Sequence, residues 1–567
     1  MMKYSEIIRL NHELEGTLEE AEYKVVILSN IMVHQSKEIC EYLLRSESVN
    51  ASVSMGEYDN IVQDSAKVQE VNAVLIFWEV CNFIDGLQYK INTLSEVDFQ
   101  SLVEKIKLEI DLVFNNLKDT PLVLINKFTS LIFDQFSLPI SRINKLTSEL
   151  NFYLESAVGE NVKIVKIVDI DKVISRLSIG SSVDLRYYSS SKTLYSIEFY
   201  KQYFEYIKPI FLSTTGKIKK ALIFDCDNTL WKGVLGEDGF DNIKIYQEVQ
   251  YLALDLAKRG VIVGICSKNN PEDVDAVLKK HQEMIIRDDD IVIKKVNWSD
   301  KASNLKLIAK ELNIGTDSLV FIDDSSFEID LIKRELPEVR VFQVPKKQYE
   351  YGLMVRELGN LFYNPSETNE DGRKVKIYKE QLQRTKGEES IGNIEDYLAT
   401  LGLTLKVYID DLTQVARISQ MTQKTNQFNL TTKRYTEHEI IAFIKEEGST
   451  VISINVQDKY GDSGLTGLAI LDNTQSIIDT LLLSCRILGR NIEYQFMDVV
   501  VDIAKRNKID ELSAAYIKTN KNQQVVDFYE KCGFVKLNEL DKGFQCSLQV
   551  NSYKNQDIQY IEVRDGR

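Results

Sequence analysis

The chain has 567 residues, enough for roughly three or four domains. Hydrophobic residues make up 44% and charged residues 27%, so sizeable cores can form. A net charge of −16 argues against nucleic acid as a partner, because neutralising phosphates takes a basic face. The N-terminal stretch MMKYSEIIRLNHELEGTLEEAEYKV is charged and amphipathic. No apolar run approaches the ~20 residues of a membrane span, and the expectation is a cytoplasmic protein with no membrane partner. Seven cysteines without a CxxC pair argue against a disulfide framework or a thiolate zinc site.

In chain order, short apolar runs alternate with helical patterns. VVILSN (25–30), AVLIFWEV (73–80), PLVLINKF (121–128) and VKIVKIVDI (162–170) read as buried strands of a parallel sheet within a first domain, 1–215. A second domain, 216–350, repeats the logic with KKALIFD, GVIVGICS and SLVFIDD, each followed by a loop and a helix. Asn270 and Pro271 signal a helix start there, and Gly260 the end of the helix before it. Residues 351–405 read as a helical connector. From 406 to 567, VISINVQ, LTGLAIL and IDTLLLSC surround helices in an α+β pattern. The fold class expected is α/β multidomain.

The strand KKALIFD runs into Asp225-Cys226-Asp227. Residues two apart on an extended chain face the same side, so both carboxylates can converge at the strand's C-terminal end. Open parallel sheets place their ligands there. One carboxylate can attack phosphorus while the other moves a proton. Two such carboxylates repel unless a cation lies between them, which points to oxygen-liganded Mg2+. SLVFIDD brings Asp323 and Asp324 to a second strand end, while Ser267 and Lys301 are suited to hold phosphoryl oxygens.

With FDCDNTLWKGVLGEDG, CSKNNPEDV and NWSDKASNLKLIAKELNIGTDSLVFIDD in place, the chain resembles the FkbH-like subgroup of the haloacid-dehalogenase (HAD) superfamily. The resemblance continues through RISQMTQKTNQFNLTTKRY, DKYGDSGLTGLAIL and LSCRILGRNIE to TNKNQQVVDFYEKCGF. It implies Asp225 as nucleophile, Asp227 as acid/base, and Ser267 and Lys301 as phosphate ligands. Mg2+ would sit on Asp225, the Asp227 carbonyl, Asp323 and Asp324. The stretches between Asp225, Ser267 and Lys301 are too short for an inserted cap domain, so the HAD Rossmann-like domain is expected to be uncapped and open to a bulky substrate.

The segment TNKNQQVVDFYEKCGF also resembles the closing motif of GNAT acyltransferases, with Asn522 and Tyr529. That family's coenzyme A loop opens a helix, where backbone N–H groups favour a pyrophosphate. Here Arg486, Gly489 and Arg490 stand in the loop, and Asn491 replaces its usual last small residue. Such a loop suits a phosphopantetheine arm carried on a protein. The first domain resembles a flavodoxin/SGNH-hydrolase-like parallel sheet. Ser29 follows its first strand, no histidine lies between His34 and His281, and the late segment reads Asp184-Leu185-Arg186-Tyr187. Docking is the role expected of it.

Together the resemblances imply an enzyme. It would dephosphorylate a phosphorylated three-carbon acid such as 1,3-bisphosphoglycerate and load the glyceryl unit onto the phosphopantetheine thiol of an acyl carrier protein. Cys266, beside Ser267, and Cys485, beside the pantetheine-type loop, are the candidate thioester carriers, whereas Cys226 should point into the core. A plain phosphatase with a partner-binding C-terminal domain, and a non-catalytic scaffold, are the alternatives.

Overall fold

The computed structural model describes residues 2–18, 22–134, 141–160, 165–363, 374–389, 394–519, 521–556 and 558–566. The chain divides into two compact units, Met1–Thr215 and Gly216–Arg567.

The first unit is a five-stranded sheet of β1 (Tyr23–Ser29), β2 (Ala51–Met55), β3 (Ala73–Phe77), β4 (Val123–Asn126) and β5 (Val165–Val168). All its pairings are parallel, in the order β2-β1-β3-β4-β5. The unbroken apolar run of β3 follows from burial on both faces. Helix Glu96–Asn116 starts where Ser95 accepts the Asp98 N–H, and packs Phe99, Ile106 and Ile110 into the core with Leu146 and Leu150. The strand expected at 162–170 is shorter. Residues 162–164 lie outside the described residues, and Ile170 already begins helix Ile170–Leu177. At the chain reversal between β1 and β3, the Ser29 hydroxyl donates to the Ile31 carbonyl at 2.8 Å. Asp184 caps helix Leu185–Ser191 and pairs with Arg186 at 2.7 Å.

The second unit opens with β6 (Ala221–Phe224), the ribbon β7 (Trp231–Lys232) and β8 (Lys244–Ile245), then β9 (Ile262–Ser267), β10 (Ile293–Val296), β11 (Leu319–Asp323) and β12 (Arg340–Gln343). Apart from the ribbon these form a parallel sheet, β10-β9-β6-β11-β12. The chain leaves β6 toward one edge and returns at β11 toward the other, so the crevice between these two strands is the topological switch point. Among the described residues, only the ribbon, two helices (Leu235–Asp238 and Gln247–Lys258) and short loops separate Asp225 from Ser267, and helix Pro271–Lys280 and β10 fill the way to Lys301. No cap domain interrupts the sheet there. Asn270 precedes its helix without a side-chain cap, its amide donating instead to Asp273 at 3.0 Å.

Helices Gln348–Leu358, Lys374–Glu389 and Ile394–Ala399 lead on, and β13 (Leu403–Ile409) begins inside the stretch expected to be connector. With β14 (Phe428–Asn429), β15 (Ser449–Asp458), β16 (Gly461–Asp472), β17 (Ile477–Leu483), β18 (Glu511–Ile517), β19 (Val535–Leu540), β20 (Gly543–Gln549) and β21 (Ile561–Asp565) it builds a mixed sheet. The parallel neighbours β17 and β18 pair only at Ile477↔Ser513 and Ile478↔Ala514. Beyond that point the chain's own segment enters between them. Leu430 donates its N–H to Leu481 at 3.1 Å and accepts that of Ile517 at 2.8 Å.

Near the crevice of the first sheet, burial raises the Glu79 carboxyl to about 7, with neighbouring Tyr195 and Asn126 offsetting part of the effect. A carboxyl whose pKa is raised by folding contributes fully below its unfolded value and loses that contribution as pH climbs through about 7. Ionising it in place costs about 3 kcal/mol. Denaturant unfolding of the full chain is therefore expected to show stability falling between pH 5 and pH 8, with Glu79→Gln flattening that fall. An unchanged pH profile in the variant would refute the assignment.

Candidate active site

The β6 and β11 ladders bring two acidic strand ends side by side. Phe224 pairs with Ile322, and the next residue, Asp225, donates its N–H to the Ile322 carbonyl at 2.9 Å. Asp225, Asp323 and Asp324 each offer an oxygen, and these oxygens all lie within 4.8 Å of one another. Lys301 begins helix Lys301–Glu311, whose N-cap Asp300 accepts the Ser303 N–H at 2.7 Å. That start directs its ammonium inward. Nζ lies 2.8 Å from Asp225 Oδ1 and 2.6 Å from Asp323 Oδ2. Asp323 Oδ1 takes the Ser325 N–H at 2.9 Å.

These charges are almost out of water, Asp225 and Lys301 each at 5% exposure and Asp323 at 0%. Burial raises the Asp225 carboxyl to about 7; Lys301 pulls it down, Asp323 pushes it up, and the Ser267 hydroxyl favours the charged form. Burial works against the Lys301 ammonium, yet its two carboxylates outweigh this and hold its pKa above the usual lysine range. Asp324, half-buried, is raised by burial and by Asp323. One lysine facing three clustered carboxylates leaves a surplus of negative charge. Hard oxygen donors in that number fit Mg2+ or a similar cation.

Asp227 is turned differently, and its side chain is not part of this cluster. Its Oδ1 accepts the indole N–H of Trp231 at 2.9 Å and the Leu235 N–H at 3.0 Å, while Oδ2 accepts from Asn269 Nδ2 at 2.9 Å. Trp231 is fully buried and Asn269 nearly so, which holds the carboxylate in one orientation. Asn228 adopts a left-handed φ of 53° and accepts the Gly233 N–H at 3.0 Å, turning the chain into the ribbon. Trp231, Asn228 and Asn269 carry no mark of these roles in the local sequence. An asparagine after DxD is a turn signal, but nothing in the local pattern says that a tryptophan four residues on reaches back to Asp227.

Of the two candidate thiols, Cys266 belongs to the core. It is fully buried, its thiol is pushed up by burial, and Sγ lies 3.8 Å from the Lys301 carbonyl oxygen. This corrects its expected role, since an unexposed, protonated thiol is a poor nucleophile. Cys226 is likewise buried, with its thiol held up by burial. Cys485 is the single thiol of the seven that is not buried.

The residues expected to bind a pantetheine arm are mostly occupied. Asn522 is fully buried. Its Oδ1 takes the Thr519 N–H at 2.7 Å, and Nδ2 donates to the Asn429 and Ile517 carbonyls at 2.9 Å. Tyr529 lies in the apolar core. Arg490 donates to the Arg486 carbonyl and to Gln381, both at 2.6 Å, and lies 3.3 Å from Asp458. These three are structural, a correction to the expectation. Gly489 has φ +79°, and a Cβ there would meet nothing within 4 Å. Its constraint is backbone conformation, about 1–2 kcal/mol for another residue, and not crowding. Arg486 is buried, its Nε donating to Ser484 Oγ at 3.2 Å.

No protein-family model and no curated protein matches the chain. Among solved structures it is similar to the N-terminal part of the protein BF1531 from Bacteroides fragilis, described as containing a phosphatase domain and complexed with Mg. The identity is 22% and the TM-score 0.55, over 65% of this chain and 100% of that one. A spermidine N-acetyltransferase from Vibrio cholerae aligns at 14% identity and TM-score 0.21, over 27% of this chain and 98% of that one. The Escherichia coli ribosomal-protein-S18-alanine N-acetyltransferase aligns at 10% and 0.21, over 27% and 97%. The first likeness establishes a shared fold. At their TM-scores the other two carry no weight.

Mg2+ is expected to raise the melting temperature of the full chain and EDTA to reverse the rise, because binding only the folded state stabilises it. Asp324→Asn should lose most of that shift. An equal shift in both proteins would remove Asp324 from the cation site.

Proposed function

We propose that this chain is a Mg2+-dependent phosphohydrolase of the haloacid-dehalogenase type. The observation that carries the reading is the convergence of Asp225, Asp323, Asp324 and Lys301 at the switch point of a parallel sheet. In the reaction Asp225 attacks phosphorus, the bond to the leaving oxygen breaks, and Asp227 supplies a proton to that oxygen. Water then attacks the aspartyl phosphate, Asp227 takes its proton, and inorganic phosphate departs. Oδ1 of Asp227 accepts two hydrogen bonds and Oδ2 one, so Oδ2 has room for the proton. On the family pattern Ser267 and Lys301 hold phosphoryl oxygens. A Mg2+ ion held by the three aspartates, with the Asp227 carbonyl in reach on the family pattern, would supply charge neutralisation.

The finer reading is FkbH-like. The substrate is a phosphorylated three-carbon acid such as 1,3-bisphosphoglycerate, and the acyl group passes to the phosphopantetheine thiol of an acyl carrier protein. The motif run from residue 417 to residue 534 supports it, as does Cys485, the one cysteine of the seven that is only partly buried. Attack there forms a thioester and releases phosphate, and the carrier thiol then takes the acyl group. A plain phosphatase is the second reading. The enclosure of Asn522 and Tyr529 favours it, because neither can contact a pantetheine arm without unpacking.

Asp225→Asn should bring phosphate release to background with Mg2+ present, because the amide cannot attack phosphorus. Trp231→Phe and Asn269→Ala should lower it up to about 10²-fold by freeing Asp227 to rotate. Near-normal turnover in Asp225→Asn would end the phosphohydrolase reading. For the acyl step, denaturing mass spectrometry after incubation with an activated acyl phosphate should find a hydroxylamine-sensitive adduct on Cys485. If Cys485→Ala loads a carrier at the wild-type rate, the carrier thiol attacks directly.

A further inference from the structure

Phosphoryl transfer puts the attacking and leaving oxygens on opposite sides of phosphorus, roughly in line. Asp225 follows β6 directly, so a leaving group opposite it points away from the sheet and into the mouth of the crevice. Among the described residues no cap domain covers that mouth. Whatever recognises the leaving group must come from the loops and helix starts around it.

Two of those helix starts are neighbours. Helices Lys301–Glu311 and Ser326–Glu335 pack on one face of the sheet, where Leu305 and Ile308 of the first share a core with Ile332 of the second. Each start is bonded to residues of the site. Asn297, in the loop before the first helix, donates its N–H to the Ser267 carbonyl at 3.1 Å. Ser325 caps the second and donates its own N–H to Asp323. Lys268, the neighbour of Ser267, reaches across to that second helix, with Nζ 2.7 Å from Glu328 Oε1. Glu328 is buried, so this pair holds the loop after β9 against the helix start.

Beside these anchors the fold leaves two large aromatic side chains in water. Trp298 follows Asn297 directly and is 76% exposed; Phe327 precedes Glu328 directly and is 69% exposed. Scattered exposed apolar residues are ordinary on a protein surface. These two are not scattered, since each adjoins a residue that fastens the mouth. The chain's other two tryptophans, Trp78 and Trp231, are buried. A flat apolar ring entering the mouth would take both side chains out of water and meet ring faces suited to it.

We propose that Trp298 and Phe327 are specificity residues of the aspartate site, and that the leaving group they receive carries a flat apolar ring. The proposal rests on the phosphohydrolase reading and names its leaving group. The ring takes no part in the chemistry. Asp225 forms the new bond to phosphorus, the bond from phosphorus to the ester oxygen breaks, and the Asp227 proton leaves with the alcohol. Such a mouth favours a plain phosphatase acting on a ring-bearing ester over transfer of a three-carbon acyl group.

Benzyl phosphate and propyl phosphate are the probes, because both release a primary alcohol and only one carries a ring. With Mg2+ and the full chain, kcat/KM is expected to be about tenfold higher for benzyl phosphate. Trp298→Ala and Phe327→Ala should each raise its KM about three- to tenfold, acting on KM rather than on kcat. Both variants should keep the Mg2+-induced rise in melting temperature, which shows the aspartate centre intact. Binding is read apart from turnover in Asp225→Asn, by acrylamide quenching of tryptophan fluorescence, which reaches Trp298 and not the buried pair. Benzyl phosphate should shield Trp298 and propyl phosphate should not. Equal kcat/KM for the two esters, or an unaltered preference in both alanine variants, would overturn the proposal and leave the phosphohydrolase reading in place. Absence of shielding would overturn it as well. Turnover of neither ester, with shielding by benzyl phosphate retained, would end the phosphohydrolase reading and keep the aromatic mouth as a ring-binding site.

Discussion

Lys301 between Asp225 and Asp323 is the interaction on which the second unit's chemistry depends. Removing charged groups from water costs several kcal/mol per ion, and only close opposite charge with further hydrogen bonds offsets it. Here the offset is built from three separate pieces of chain. The parallel register of β6 and β11 sets the two carboxylates side by side. The Asp300 cap fixes where the lysine's helix begins, and Ser325 at the next helix start binds the remaining Asp323 oxygen. Removing any one piece would leave a buried charge short of a partner.

That arrangement also divides labour between two neighbouring carboxylates. Asp225 lies among charges, where its ionisation responds to burial, to Lys301 and to whatever cation is present. Asp227, two residues on, lies among neutral donors, one from the ribbon's tryptophan and one from the loop after β9. Two identical side chains two positions apart thereby meet different surroundings. This is the usual route by which paired acids take different roles.

The second unit uses both ends of one parallel sheet. At the C-terminal ends of the strands, among the described residues, acidic groups outnumber the lysine that meets them; at the N-terminal ends lies a cavity bounded by the turn Ser484-Cys485-Arg486. The mixed sheet contributes to the latter with Ser484, Cys485 and Arg486, just past the C-terminal end of β17. The strand gap itself is taken by Phe428 to Leu430, held by backbone bonds to both sides. Asn522, buried beneath, fastens that segment through the Asn429 carbonyl. Asn522 of the second motif thus meets Asn429 of the first in the core, which accounts for these two amides without a ligand.

Much of this was legible in one dimension. Continuous apolar runs ending in acidic or hydroxyl residues announce buried parallel strands with polar C-terminal ends, because the alternation of side chains is a local property of the backbone. Asp225, Ser267, Asp323 and Asp324 could be marked on that ground and Lys301 at a helix start, and the short spacing between them left no room for a cap. Other features depended on distance in sequence. Whether Cys266 turned to solvent or to the core depended on the helix carrying Lys301, which covers it. Whether Asn522 faced a ligand or the chain depended on where Phe428 to Leu430 ran. The cavity at the N-terminal strand ends collects its lining from stretches far apart in the chain. Local sequence determined which residues ended each strand and so could converge. Only the tertiary structure decided which polar groups remained available, because a hydrogen-bonding group is consumed or left free by neighbours that arrive from elsewhere in the chain.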